Sequence, residues 1–288
     1  MIKKITFKGD CPLYIATYER KDNITPEEIY IQEECIYATK DNEIIILGNN
    51  TNKILLPYNN HKIDELSISN HYNDTLIEID DKKHNLKIFS QSGNIILNNT
   101  NLNECKIISL AGGIIIINSS FNKIEATGFS DSINIENSII NKQAILRNSY
   151  GEININKSNI KWSKIRTDSG DITINDCNKT NEQIVNVRSA NGMIKVNNSE
   201  MIGTNIHTLL GTITINNSKI KEAVLGLYRE GNNIILKKSQ IESLISESYL
   251  PPKIIESEIN NHKSTILEDL LPEGDFKTSE KTLVLKLK

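Results

Sequence analysis

The sequence predicts an all-β protein built as a single parallel β-solenoid, with coils of about 19–22 residues and irregular caps at both ends. One short phrase recurs eight times between Leu86 and Leu244: a small or turn-forming residue, then x-Ile-x-Ile, then usually Asn and Ser. Its clearest copies begin at Gly151, Gly170 and Gly211. The first residues of the eight phrases are Gly93, Gly112, Asp131, Gly151, Gly170, Gly192, Gly211 and Asn232, spaced by 19, 19, 20, 19, 22, 19 and 21. Two and four residues after each of these anchors stand apolar residues, Ile95 and Leu97 in the first phrase and Ile172 and Ile174 in the fifth. That alternation puts both on one face of a short strand.

Two more apolar columns complete the coil. Five residues before the anchors lie Ile88, Ile107, Ala126, Leu146, Ile165, Val187, Ile206 and Leu227. Nine residues after them lie Leu102, Phe121, Ile140, Ile160, Lys179, Met201, Ile220 and Ile241. One coil alone buries little. Stacked coils bury a continuous core, each strand pairing with its equivalents above and below at ~4.8 Å. Parallel strands normally need helical crossovers; here each coil is its own crossover.

The sixth position after the anchor is Asn or a charged residue, as in Asn99, Lys157 and Asp176. The seventh is small and polar, from Thr100 and Ser119 to Cys177 and Ser239. Such residues bond nearby backbone and tolerate turn conformations, so they read as a stacked bend rather than a ligand groove.

The ends differ from the repeat. Residues 1–42 read as an N-terminal cap: a strand from Ile2 to Phe7, then a helix start at Thr25-Pro26-Glu27-Glu28, or else a strand through Glu28–Tyr37. Residues 43–260 read as the solenoid, with degenerate coils before Asn85 and one further coil through Ile254–Ile259. Residues 261–288 read as the second cap, a short helix over Ser264–Leu271 followed by a final strand from Thr282. Caps are needed because an open terminal coil is an unpaired sheet edge. The stack amounts to about ten coils, ~50 Å by strand spacing.

Composition narrows the function. A net charge of -3 carries no field calling for nucleic acid or an anionic membrane. Aromatic residues make up 5 %, few for a carbohydrate or single-strand nucleic-acid platform. No stretch approaches the ~20 apolar residues of a membrane helix. Charge interrupts the apolar residues after Met1 before a signal peptide forms, so a cytoplasmic location is expected, with signal-less export as the alternative. Cys11, Cys35, Cys105 and Cys177 form no paired motif, and reduced thiols are expected, Cys177 as a buried stand-in for the column serine.

Candidate chemistry is sparse, and no catalytic, cofactor or metal residues are assigned. Asp168 and Asp171 flank Gly170 and are expected to shape a turn rather than act as an acid–base pair. The run Asp80-Asp81-Lys82-Lys83-His84 is expected to be a solvated loop. His61, His71, His84, His207 and His262 show no ligand spacing, and His207, next to the core residue Ile206, should face outward. The outward strip at the third position, Ile96 through Thr173 to Ile235, carries no carboxylate pair. The insertions after Lys179 and around Tyr228-Arg-Glu-Gly231 are the places to search for a site.

The phrases Asp168-Ser-Gly-Asp-Ile-Thr-Ile174 and Ser189-Ala-Asn-Gly-Met-Ile-Lys-Val196 resemble the Ser-Gly-Asp-Ile repeats of a bacterial putative-adhesin family of β-solenoid domains, over roughly Leu86 to Leu244. The bactofilins, polymer-forming cytoskeletal solenoids, are similar in architecture. The first resemblance implies a non-catalytic surface role, the second a polymer. The expected function is therefore a binding or scaffold solenoid that meets a protein or glycan partner on an outer face or an irregular end. A polysaccharide-active enzyme and an end-to-end homo-oligomer are the alternatives.

Overall fold

A computed structural model describes residues 4–18, 30–31, 36–40, 43–48, 52–57, 64–80, 82–177, 184–229, 232–266 and 282–285. Every regular element among them is a β-strand, and the fold is a parallel β-solenoid. The chain forms two compact units, Met1–Arg147 and Asn148–Lys288.

Each repeat contributes one short strand and one long one, and the equivalents stack in register. In the second unit the short strands Ile153–Asn156, Ile172–Asn175, Ile194–Asn197, Ile213–Asn216, Ile234–Lys237 and Lys253–Ile255 form one parallel sheet. The longer strands Ser163–Thr167, Ile184–Ser189, Glu200–Thr208, Lys219–Leu227, Gln240–Ser248 and Glu258–Ile266 form another. The first unit repeats this arrangement, for example in Ile95–Asn98 beside Ile114–Ile117 and Asn101–Ser109 beside Ser120–Gly128.

The apolar columns are the core. Ile95, Ile114, Ile133, Ile153, Ile172, Ile194 and Ile213 are fully buried, as are Ile107, Phe121, Ile140 and Ile206. Lys179 lies outside the described residues. A further buried column, not apparent in the sequence, holds Leu86, Cys105, Ile124, Ala144, Ser163, Val185 and Thr204, small and polar residues mixed among apolar ones.

The anchor glycines are explained by close approach. A Cβ on Gly170 would overlap the Gly151 carbonyl of the coil beneath, and one on Gly192 would overlap the Gly170 carbonyl. The sixth position is the left-handed bend: Asn99, Asn118, Asn137, Lys157, Asp176, Asn198, Asn217, Lys238 and Glu256 all have φ between 47° and 52°. Asn tolerates this conformation better than most residues, which accounts for its prevalence there.

The seventh position is a buried hydrogen-bond ladder. Ser199 Oγ donates to the Asn197 carbonyl at 2.7 Å and accepts the Cys177 N–H at 3.1 Å. Ser218 and Ser239 repeat both bonds. Cys177 keeps the donor role, its Sγ 3.3 Å from the Asn175 carbonyl, and burial pushes its thiol up to about 11. These side chains are consumed by the fold and are not open to a ligand.

The N-terminal stretch departs from chain order. The strand Lys4–Gly9 lies between Glu43–Gly48 and Glu65–Asn70, parallel to both, and Leu13–Tyr18 lies between Asn52–Pro57 and Thr75–Glu78. The stretch read as a cap thus contains a solenoid coil, inserted ahead of the coil that follows it in sequence. Ile36–Lys40 and Tyr30–Ile31 pair antiparallel on the far side of that later coil. The helix start at Thr25 and Cys35 lie outside the described residues.

At the other end, Ser264–Ile266 belongs to a strand rather than to the expected helix, because Ser264 and Thr265 continue the register of Ser246 and Glu247. Thr282–Leu285 is a strand, as the alternation of the tail implies, and it pairs antiparallel with the preceding one.

Candidate functional site

An outward column four residues before the anchors gathers the chemistry in the second unit. Arg166, Arg188 and His207 are successive register partners on Ser163–Thr167, Ile184–Ser189 and Glu200–Thr208. Alternation buries Ile165, Val187 and Ile206 and turns these three neighbours outward. Adjacent coils stack at ~4.8 Å, which brings two guanidinium groups and an imidazole to one strip. The expectation that His207 faces outward agrees with this.

The next position in the column is Gly226, opposite His207. Its missing side chain is what the site needs, since a Cβ there would overlap the His207 ring and crowd the Tyr228 hydroxyl. The extra residues of this coil follow Leu227. Ile206 therefore pairs with Leu225, and Leu227 pairs with Thr208, two residues from its expected column. Tyr228 leaves the strand at that point and folds back over His207. The two rings are stacked, 6° from parallel with centroids 5.8 Å apart.

Arg166, Thr167, Arg188, His207, Leu209 and Tyr228 are among the residues lining a groove of about 350 Å³. Leu209 is 51 % exposed and Tyr228 39 %, so the groove has an apolar lip beside its cations. Arg166 is held by Asp168 at 3.3 Å. Among the described residues, no carboxylate lies within ion-pair distance of Arg188. Among the described residues Arg188 is thus an exposed cation with no acid against it, between a second arginine and a histidine.

Tyr228 links the histidine to an acid. Its hydroxyl lies 2.9 Å from Nδ1 of His207 and donates to Glu247 Oε2 at 3.3 Å. One hydroxyl proton serves one acceptor. With it directed at Glu247, Nδ1–H of His207 donates to the hydroxyl oxygen and Nε2 keeps a lone pair. Burial, and then the Arg188 charge, hold the His207 pKa below the usual histidine value, with Glu247 opposing them. Burial and Glu247 raise that of Tyr228.

The other sequence candidates are accounted for singly. Asp171 accepts the Met193 N–H at 2.8 Å and serves the turn, while Asp168 turns to Arg166. Asp80, Lys82 and Lys83 are exposed as a solvated loop requires, while His84 at the end of the run is buried, 1 % exposed. Cys11 and Cys105 are buried as well, and burial pushes the Cys105 thiol far above its ordinary value. His61 lies outside the described residues. Among the described residues, no group of three or more His, Cys, Asp or Glu is placed to hold a metal ion. Among the described residues, no helix is long and apolar enough to cross a membrane.

A larger groove of about 440 Å³ runs along Glu200, Lys219, Lys221, Glu242 and Glu258. Its charges are of both signs, and Glu200 already faces Lys219 at 3.9 Å. It favours neither sign of charge, whereas the groove at Arg166 and Arg188 is lined by two guanidinium groups.

The sequence reading searched the third outward position and the insertions, and missed this column. The signal was present: Arg166, Arg188 and His207 stand at one offset from Gly170, Gly192 and Gly211. Of the named insertions, the one at Tyr228 borders the site and residues 178–183 lie outside the described chain.

The sequence profile of the Toastrack DUF4097 family matches residues 23–226. No curated protein and no solved structure matches the chain.

Proposed function

The chain belongs to the Toastrack DUF4097 family, and from that premise we propose that it is a non-catalytic binding scaffold whose second unit recognises an acidic glycan. The observation that carries this reading is Arg188, exposed in a groove with Arg166 and His207 on either side and, among the described residues, no carboxylate within ion-pair distance. A guanidinium in that position favours a carboxylate or sulfate group.

A glycan fits better than an extended peptide. Peptides that bind β-structure usually add a strand to a free edge. Here the strand Ile184–Ser189 is paired on both sides, so the lateral face presents side chains alone. The exposed part of Tyr228 and the neighbouring Leu209 give an apolar surface for the ring of an acidic sugar, with the arginines beside it.

Calorimetry with oligogalacturonate and with a neutral oligosaccharide of equal length tests the reading. Binding of the acidic chain alone is expected, weakened about tenfold to a hundredfold by Arg188→Ala, since a charge-assisted hydrogen bond contributes about 1.5–3 kcal/mol. Lys195→Ala, on the other sheet, should change little. Equal affinity for the neutral chain, or indifference to Arg188→Ala, would contradict it.

A further inference from the structure

Arg188 and His207 are register partners on neighbouring strands, both outward and both lining one groove. The hydrogen-bond pattern gives the histidine a particular readiness. Its Nδ1 is occupied by Tyr228, whose hydroxyl is in turn engaged by Glu247. The site left for a proton is Nε2.

The charged and titratable groups around His207 come from every neighbouring coil. Arg188 lies on the strand below, and Arg166, tied to Asp168, one coil further. Gly226 faces it from the strand above and contributes no side chain, while Tyr228 covers its ring. Glu247 pairs with Gly226 from the following strand. In the empty groove the nearest cation, Arg188, opposes a charge on the imidazole. An anion seated on Arg188 would cancel that repulsion and add its own attraction.

We propose that Arg188 and His207 form one seat for a single oxyanion, the carboxylate or sulfate of an acidic sugar, and that its arrival draws a proton from solvent onto Nε2 of His207. The seat then holds two cationic donors where the empty site has one. Binding and protonation assist each other by the same factor, because the two equilibria are linked. The ligand is accordingly held more tightly in mildly acidic solution and released as pH rises, and the Glu247–Tyr228 pair fixes which nitrogen responds. This rests on the reading of the groove as an anion site and adds the proton to it.

The lowered pKa of His207 agrees with this arrangement, since burial and Arg188 are its causes and the second is the one an anion removes. An opposite charge within ~4–6 Å shifts a titrating group by one unit or more, and one unit corresponds to tenfold in affinity.

The test is a pH titration of the histidine rings by nuclear magnetic resonance in the full chain, with sodium sulfate against sodium chloride at equal ionic strength. Sulfate is expected to raise the midpoint of His207 by about one unit. Its own dissociation constant should tighten several-fold between pH 8 and pH 5.5, approaching about tenfold only at lower pH. Both effects should vanish in Arg188→Ala, while His207→Gln should retain weaker, pH-independent binding. Galacturonate in place of sulfate should produce the same shift; a response to sulfate that galacturonate fails to reproduce would overturn the sugar assignment. Saturable sulfate binding at Arg188 with the His207 midpoint unmoved would overturn the shared seat and leave the anion groove standing. Absence of any saturable response at Arg188 would overturn both.

Discussion

Replacing Ser199 by alanine isolates what the ladder at the bend contributes. Ser199 is 1 % exposed and its Oγ makes two bonds, donating to the Asn197 carbonyl and accepting the Cys177 N–H. Losing the hydroxyl affects the two partners unequally. The Asn197 carbonyl still accepts the Asp176 N–H at 3.1 Å. The Cys177 N–H has no such reserve, and a buried donor without an acceptor costs about 1–3 kcal/mol. Adding a net contribution of about 1 kcal/mol for the lost donor bond gives a destabilisation of about 2–4 kcal/mol. Ser199→Cys should cost less, because Cys177 shows that a thiol fits the column and reaches the carbonyl two residues back. The assay is amide hydrogen exchange at Cys177, with urea unfolding alongside. Exchange is expected to accelerate by about thirtyfold or more in Ser199→Ala and to change less in Ser199→Cys. If the Cys177 amide keeps its protection in Ser199→Ala and the unfolding free energy falls by less than about 0.5 kcal/mol, the ladder does not hold the coils together as described.

Other substitutions probe the same account. Ile172→Asp should prevent folding, because Ile172 is fully buried and its carboxylate would have no partner, while Thr173→Asp, half-buried on the outer face, should cost little by circular dichroism and thermal melting. Equal damage from the two would mean that the inward and outward faces are misassigned. Gly226→Ala should displace the His207 ring from Tyr228, seen as a changed imidazole resonance, and weaken oligogalacturonate binding with a loss of stability of about 1–3 kcal/mol. His262, buried with Nε2 3.0 Å from Ser246 Oγ, has its pKa lowered by burial. The unfolded chain therefore takes up a proton that the folded chain resists, so stability is full above pH ~6.5 and falls as pH drops below it. Melting between pH 7.5 and 5.5 should show that fall, smaller in His262→Gln; an unchanged slope would assign the acid loss elsewhere.

Much of the solenoid is legible in the sequence because a repeated coil repeats its constraints. Ile153 and Ile172 are buried by the same geometry, Gly170 and Gly192 approach the same carbonyl, and Asn198 and Asn217 take the same left-handed turn. Where the repeat fades, so does the reading. Lys4–Gly9 carries no anchor phrase, and nothing local tells a strand that it will sit between Glu43–Gly48 and Glu65–Asn70. Leu227 is displaced from its expected column because the register is set by the strand below, whereas counting back from Asn232 includes the insertion. The site was half legible. Arg166, Arg188 and His207 share one offset in the sequence, but Tyr228 reaches His207 only because Gly226 leaves room for it.

The measurement that bears most directly on the proposed binding role is a crystal structure of the full chain with oligogalacturonate. The account predicts a sugar carboxylate within hydrogen-bonding distance of Arg188 and His207, with the sugar ring against Tyr228 or Leu209. Saccharide seated instead along the Glu200–Lys219–Glu242 groove, or crystals grown in saturating ligand with the Arg188 groove empty, would contradict it.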